Sequence, residues 1–87
     1  MTEGEVFEKL RAILEQDFRV PTAKITNEAT FRGTFGMDSL DAVDFVYLAS
    51  KAFGMKAEIG EFRELHTLGK VATFLHGRVA AREDAGG

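Results

Sequence analysis

The apolar residues of this chain recur at three- and four-residue spacing in separate stretches, and nowhere do they alternate with the two-residue period of a half-buried strand. A chain so patterned can bury its apolar surface only as packed helices. In the first stretch Val6, Phe7, Leu10, Ile13, Leu14 and Phe18 share one face, with Glu8, Lys9, Arg11, Glu15 and Gln16 between them. Thr2-Glu3-Gly4-Glu5 has the S/T-x-x-E spacing of a capping box, so a helix is expected to begin there. Pro21, the only proline, cannot continue a helix and marks its exit.

The second helix is expected from Ser39 to Phe53, with Gly54 as its stop. It carries two apolar lines. Val46, Ala49 and Phe53 form one, flanked by Ala42 and Phe45, and Leu40, Val43 and Tyr47 form the other. A three-helix core cannot cover both, so one line must be exposed, and a row of exposed apolar side chains marks a contact surface. Glu58 to Leu65 has room for one short helical turn after Gly60, burying Phe62 and Leu65. Thr67 suits the N-cap of a last helix running to about Ala81, with Leu68, Val71, Ala72, Leu75 and Val79 on its inner face. Between the first two helices, Arg19 to Asp38 shows no period; Ile25, Phe31 and Phe35 are costly to leave in water and should pin it as an ordered loop. The expectation is all-α: three main helices plus one short helix in a bundle, a single domain over 1–81 and a flexible tail over 82–87.

Eighty-seven residues allow one domain. At about 0.05–0.15 kcal/mol per residue, its stability is only about 4–13 kcal/mol, which leaves little room for a deep catalytic cavity. A formal charge of -3 argues against a nucleic-acid binder, which would need a clustered basic face. Without cysteine the chain can form no disulfide, thiolate metal site or thiol nucleophile. No apolar run approaches the roughly 20 residues of a membrane span, and the acidic N-terminus is unlike an export signal. A cytoplasmic monomer without membrane insertion is expected.

His66 and His76, the only histidines, stand ten apart, with no carboxylate pair to complete a metal site. No spacing supports a relay built on Ser39 or Ser50. Gly33, Gly36 and Gly54 lack the order of a phosphate-binding loop and are expected to serve turns and caps. Ser39 differs, because it stands at a helix start, where outward N–H groups and the helix dipole favour negative charge. Either Ser39 or Asp38 could be the N-cap, and an anionic substituent on Ser39 would also be favoured there.

The run Phe31-x-x-x-Phe35-Gly36-Met37-Asp38-Ser39-Leu40-Asp41-x-x-Asp44 resembles the F-x-x-x-[LF]-G-x-D-S-L-[DE]-x-x-[ED] signature of acyl carrier proteins. Gly54, Phe62, Leu65 and Thr67-Leu68 follow at that family's offsets, so the resemblance spans Val6 to Leu75. It implies a discrete carrier, not an enzyme. Ser39 would hold 4′-phosphopantetheine, placed there from coenzyme A by a magnesium-dependent phosphopantetheinyl transferase, and the arm's thiol would carry acyl groups as thioesters. By the same resemblance Val46, Ala49, Phe53, Phe62 and Leu65 would shelter the acyl chain. Asp38, Asp41 and Asp44 set an acidic rim beside Leu40, Val43 and Tyr47, a surface suited to basic sockets on acyl-loading, condensing and acyl-transfer enzymes.

Ser50, Lys51 and Ala52, Gly33-Thr34, Lys70 and Phe62 depart from the pattern of housekeeping fatty-acid carriers. A specialised carrier, for a polyketide or other secondary pathway or a modified lipid, is therefore expected. The alternatives are a carrier of aminoacyl or peptidyl groups and a helical interaction module in which Ser39 is only a cap.

Overall fold

A computed structural model describes the backbone of residues 1–86 and the side chains through residue 82. The chain is all-helical: α1 spans Glu3–Asp17, α2 Ser39–Phe53, α3 Ile59–Phe62 and α4 Leu68–Gly86, with a 3-10 turn at Thr22–Lys24 inside the long α1–α2 loop. Among the described residues the only β-type pairing is an isolated antiparallel bridge between Thr30 and Thr67. Among the described residues no helix is long and apolar enough to cross a membrane.

The α1 capping box forms as expected, with the Glu5 N–H donating to Thr2 Oγ1 (3.1 Å) and the Thr2 N–H donating to Glu5 Oε1 (2.8 Å). The Thr2 amide holds the Glu5 carboxyl below the usual range. At the other end Arg19 takes a left-handed conformation (φ 55°), and the Val20 N–H turns back to the Leu14 carbonyl (3.0 Å), so the helix has closed before Pro21. Val6, Leu10 and Leu14 of α1 meet Phe45, Val46 and Ala49 of α2 and Leu68, Val71, Ala72 and Leu75 of α4 in one core. Val79 is buried further along α4.

The α1–α2 loop is built into this core. Ile25 is buried, as are Val20, Ala29 and Met37, while Phe31 and Phe35 are half-buried and meet edge to face at 5.6 Å. The loop also supplies acceptors to α4: the Leu68 N–H donates to the Ala29 carbonyl and the Gly69 N–H to that of Asn27, each at 2.9 Å. Thr67 caps the same end through the Lys70 N–H (3.3 Å). Two of the orphan donors at this helix start thus bond to loop backbone rather than to water.

Two boundaries differ from expectation. The short helix starts at Ile59, before Gly60, because the Glu61 carboxylate accepts the Glu58 N–H (3.0 Å) and starts the turn early. Leu65, beyond its end, is half-buried rather than buried. The last helix continues past Ala81 to Gly86, and Arg82 there donates to the Gly54 carbonyl at the end of α2. Of the expected flexible tail over 82–87, the backbone to Gly86 is helical, and Gly87 and the side chains from 83 onward lie outside the described residues. Gly54 is the α2 stop, with φ 61° and its N–H on the Lys51 carbonyl (3.2 Å).

α3 is tethered to α4 by Arg78. Its guanidinium pairs with Glu61, reaches the Lys56 carbonyl (3.4 Å) and lies over the Phe74 ring (4.9 Å), which in turn meets Phe62 edge to face (5.7 Å). The Arg78 hydrogen bond is the main cause of a lowered Glu61 pKa, aided by the Glu58 amide. A depressed carboxylate stabilises the fold above its unfolded pKa, and this contribution is lost as pH falls through the folded value. Glu61→Gln should therefore lower the thermal midpoint at pH 7, and the loss should shrink progressively as the pH is lowered into the acid range. A loss that does not change with pH would refute the tether.

A second test concerns Gly69, where a Cβ would sit 2.9 Å from the Asn27 carbonyl oxygen. Alanine normally favours a helix over glycine by about 1 kcal/mol. Here Gly69→Ala is expected to destabilise by about 1–3 kcal/mol in urea unfolding, because the loop backbone must shift. A stabilised variant would contradict that packing.

Candidate functional site

The N-terminus of α2 resolves the choice between two caps. Asp38 is the N-cap: its Oδ1 accepts the Asp41 N–H (2.9 Å), and Asp41 Oδ2 accepts the Asp38 N–H (3.2 Å). Ser39 is therefore the first helical residue, exposed, and its hydroxyl makes no hydrogen bond among the described residues. The reciprocal cap uses the amides of residues 38 and 41, leaving those of Ser39 and Leu40 in the first turn, where no intrahelical acceptor exists. An anion attached through Ser39 Oγ would lie beside those two amides and the positive end of the α2 dipole. The arrangement fits a phosphodiester.

The position of Ser39 is fixed from both sides. Upstream, Met37 is buried and its N–H donates to the Phe31 carbonyl (2.9 Å). Downstream, Phe45 and Val46 anchor α2 in the core. The hydroxyl is presented by a short exposed segment between two buried ones.

Of the two apolar lines on α2, the exposed one is Leu40, Val43 and Tyr47, at 77%, 50% and 61% accessibility. Asp38 and Asp44 are exposed beside it, and Asp41 is half-buried in the cap. Lys51 lies further along α2 with its ammonium 5.5 Å from the centre of the Tyr47 ring. The face is thus acidic near Ser39 and basic toward the helix end.

Beside Ser39 opens a cleft of about 640 Å³ between α2, the α1–α2 loop and α3. Val46, Phe62 and Leu65 line it, and Ser39 stands at its edge. Ala49 lies fully buried in the core, and Phe53 is half-buried under the Lys9 ammonium (5.7 Å); neither lines this cleft. Sequence periodicity passed over several residues that do, among them Phe31, Met37, Ile59, Arg32 and Arg63. The two arginines had a readable signal: each directly follows a phenylalanine that packs inward, which puts it at the rim of the core. His66 also lines the cleft. His76, on α4, does not, so the two histidines do not converge. Among the described residues no group of three His, Cys, Asp or Glu side chains could hold a metal. Ser50 donates to the Val46 carbonyl (2.8 Å) and accepts the Ala57 N–H (3.2 Å), so it fastens the α2–α3 connection.

Comparison with known proteins agrees with this geometry. The phosphopantetheine attachment site family matches residues 8–75. The chain is 32% identical over 81 residues to acyl carrier protein 2 of Ralstonia nicotianae, covering 93% of this chain and all of that one. It is 35% identical over 71 residues to an acyl carrier protein of Saccharopolyspora erythraea, covering 82% and 75% of the two chains. An acyl carrier protein of Thermosynechococcus vestitus matches at 32% over 81 residues, again 93% of this chain and all of the relative. With the motif, the helical bundle and these matches together, the chain belongs to the acyl carrier protein family, whose members are carriers rather than enzymes and bear 4′-phosphopantetheine.

Proposed function

We propose that Ser39 Oγ is the attachment point of the phosphopantetheine arm and that the chain carries acyl intermediates as thioesters in fatty-acid, polyketide or specialised lipid biosynthesis. The observation that carries this reading is the exposed, unbonded Ser39 hydroxyl at the first residue of α2, beside an apolar cleft. With Asp38 as the cap, Ser39 has no structural duty that would compete with modification. In the transfer, Ser39 Oγ attacks the phosphorus of coenzyme A that bears the pantetheine; the P–O bond to adenosine 3′,5′-bisphosphate breaks and the hydroxyl proton is lost. The attached arm supplies a thiol, which this cysteine-free chain lacks.

The remaining roles are assigned by the same reading. Asp38, Asp41 and Asp44 around Leu40, Val43 and Tyr47 form the docking face for the phosphopantetheinyl transferase and for acyl-loading, condensing and acyl-transfer enzymes with basic sockets. Val46, Phe62 and Leu65 offer apolar wall to a carried chain, and residues 1–81 form the carrier unit, acting in the cytoplasm. The departures on α2, chiefly Lys51 beside Tyr47, favour specialised partners over those of the general fatty-acid carrier.

Incubation of the purified protein with coenzyme A, magnesium and a broad-specificity transferase should add the mass of one phosphopantetheinyl group, and Ser39→Ala should abolish the gain. Because Asp38 is the cap, Ser39→Ala should change stability by under about 0.5 kcal/mol, whereas Asp38→Ala should cost about 1 kcal/mol. A modified Ser39→Ala protein would overturn the assignment. For the docking face, Asp44→Lys is expected to lower kcat/KM for the transferase about tenfold, mostly through association and more at low salt than at high. An effect independent of ionic strength would argue against electrostatic docking.

A further inference from the structure

The cleft beside Ser39 is not uniformly apolar. Arg32, at the loop, and Arg63, just past α3, both line it and both are exposed. Among the described residues neither guanidinium makes a hydrogen bond, ion pair or ring contact, whereas Arg11 pairs with Glu8, Arg78 with Glu61 and Arg82 with the Gly54 carbonyl. Arg19 is likewise unpartnered but does not line the cleft. Two free cations from separate elements therefore share one opening with Ser39.

The charge balance at that opening calls for them. Asp38 and Asp41 already place two carboxylates at the start of α2 and consume two of its amides. A group joined to Ser39 that brings a further negative charge meets like charges at Asp38, which itself lines the cleft, and at Asp41, and the only arginines of the lining, Arg32 and Arg63, are there to balance them. Deeper in, the wall is Phe31, Phe45, Val46, Ile59 and Phe62, which can solvate a hydrocarbon chain but not an anion. An anion folded back toward the cleft must stop at the rim.

We propose that Arg32 and Arg63 form an anion clamp at the mouth of the cleft for an oxyanion borne on the Ser39 arm. Two groups share that chemistry: the phosphodiester at Ser39, and the terminal carboxylate of a dicarboxylic acyl cargo. This rests on the Ser39 carrier reading.

The test loads the full chain from three thioester donors or precursors with a broad-specificity transferase: coenzyme A alone, hexanoyl-coenzyme A and adipoyl-coenzyme A, the last two equal in chain length and differing in the terminal carboxylate. The readout is the side-chain Nε–H signals of Arg32 and Arg63 in NMR spectra, with Arg19 as an internal control off the cleft. Shifts of both signals already on passing from the unmodified to the coenzyme A-modified protein, and equal in all three forms, support the phosphodiester. Shifts confined to the adipoyl form support the carboxylate. In that case the Arg32→Gln, Arg63→Gln double variant should also raise the hydroxylamine cleavage rate of the adipoyl thioester about threefold, the size expected for exposed charge pairs, and leave the hexanoyl rate unchanged. Signals that move no more than that of Arg19 in any loaded form would overturn the clamp alone. A protein that gains no mass at Ser39 would overturn the carrier reading, and the clamp with it.

Discussion

The Phe45 ring is the contact on which the site depends. It is 2% exposed and lies 6.2 Å from the Phe18 ring at the end of α1 and 5.1 Å from the Phe31 ring in the long loop. One side chain therefore joins the first helix, the loop and α2. A 21-residue connection whose only regular element is one 3-10 turn would cost entropy to order. Burying Val20, Ile25, Ala29 and Met37, with the half-burial of Phe31 and Phe35, offsets that cost at about 1.5–3 kcal/mol for each fully buried large side chain. The chain can then reach Asp38 in one conformation, and Ser39 follows it into a fixed first turn.

α2 serves two partners at once. Its inner face, Phe45, Val46 and Ala49, belongs to the core, and its outer face, Leu40, Val43 and Tyr47, stays in water. Leaving those three exposed forgoes burial free energy that a small domain could use, and a chain of this size has little to spare. An apolar strip of three side chains edged by carboxylates suits contacts that form quickly and break, because exposed charges raise association rates more than they slow dissociation. On the carrier reading, the fold surrenders some stability at the place where reversible contact is needed.

Local signals made most of the bundle legible in the sequence. The Thr2–Glu5 box, the Gly54 stop, the inner face of α4 and the exposed line on α2 all rest on residues a few positions apart, and the structure has each where the spacing put it. What stayed hidden rests on distant contacts. Arg82 on the last turns of α4 reaches Gly54 across the bundle, the packing at Gly69 depends on the approach of Asn27, and the burial of Val20, Ala29 and Met37 on the loop folding across the core. The cap at α2 is an intermediate case. Asp38 and Asp41 have the reciprocal spacing, but Ser39 is as good a cap residue by type, and only the geometry separates them.

The formal charge of -3 has a place in this arrangement. Residues 38–50 hold Asp38, Asp41 and Asp44 and no base, while acids and bases balance over the rest of the chain. The acidic turn lies beside the exposed strip Leu40, Val43 and Tyr47, and Asp38 also lines the cleft that Arg32 and Arg63 share. On the carrier reading these opposite charges do separate work: the carboxylates attract a basic partner, and the arginines face an oxyanion on the arm. Neither can be strong, since exposed pairs contribute only about 0–1 kcal/mol each. That weakness is what a shuttle needs, because an ion pair well worth more than this would hold the cargo against the enzyme meant to receive it.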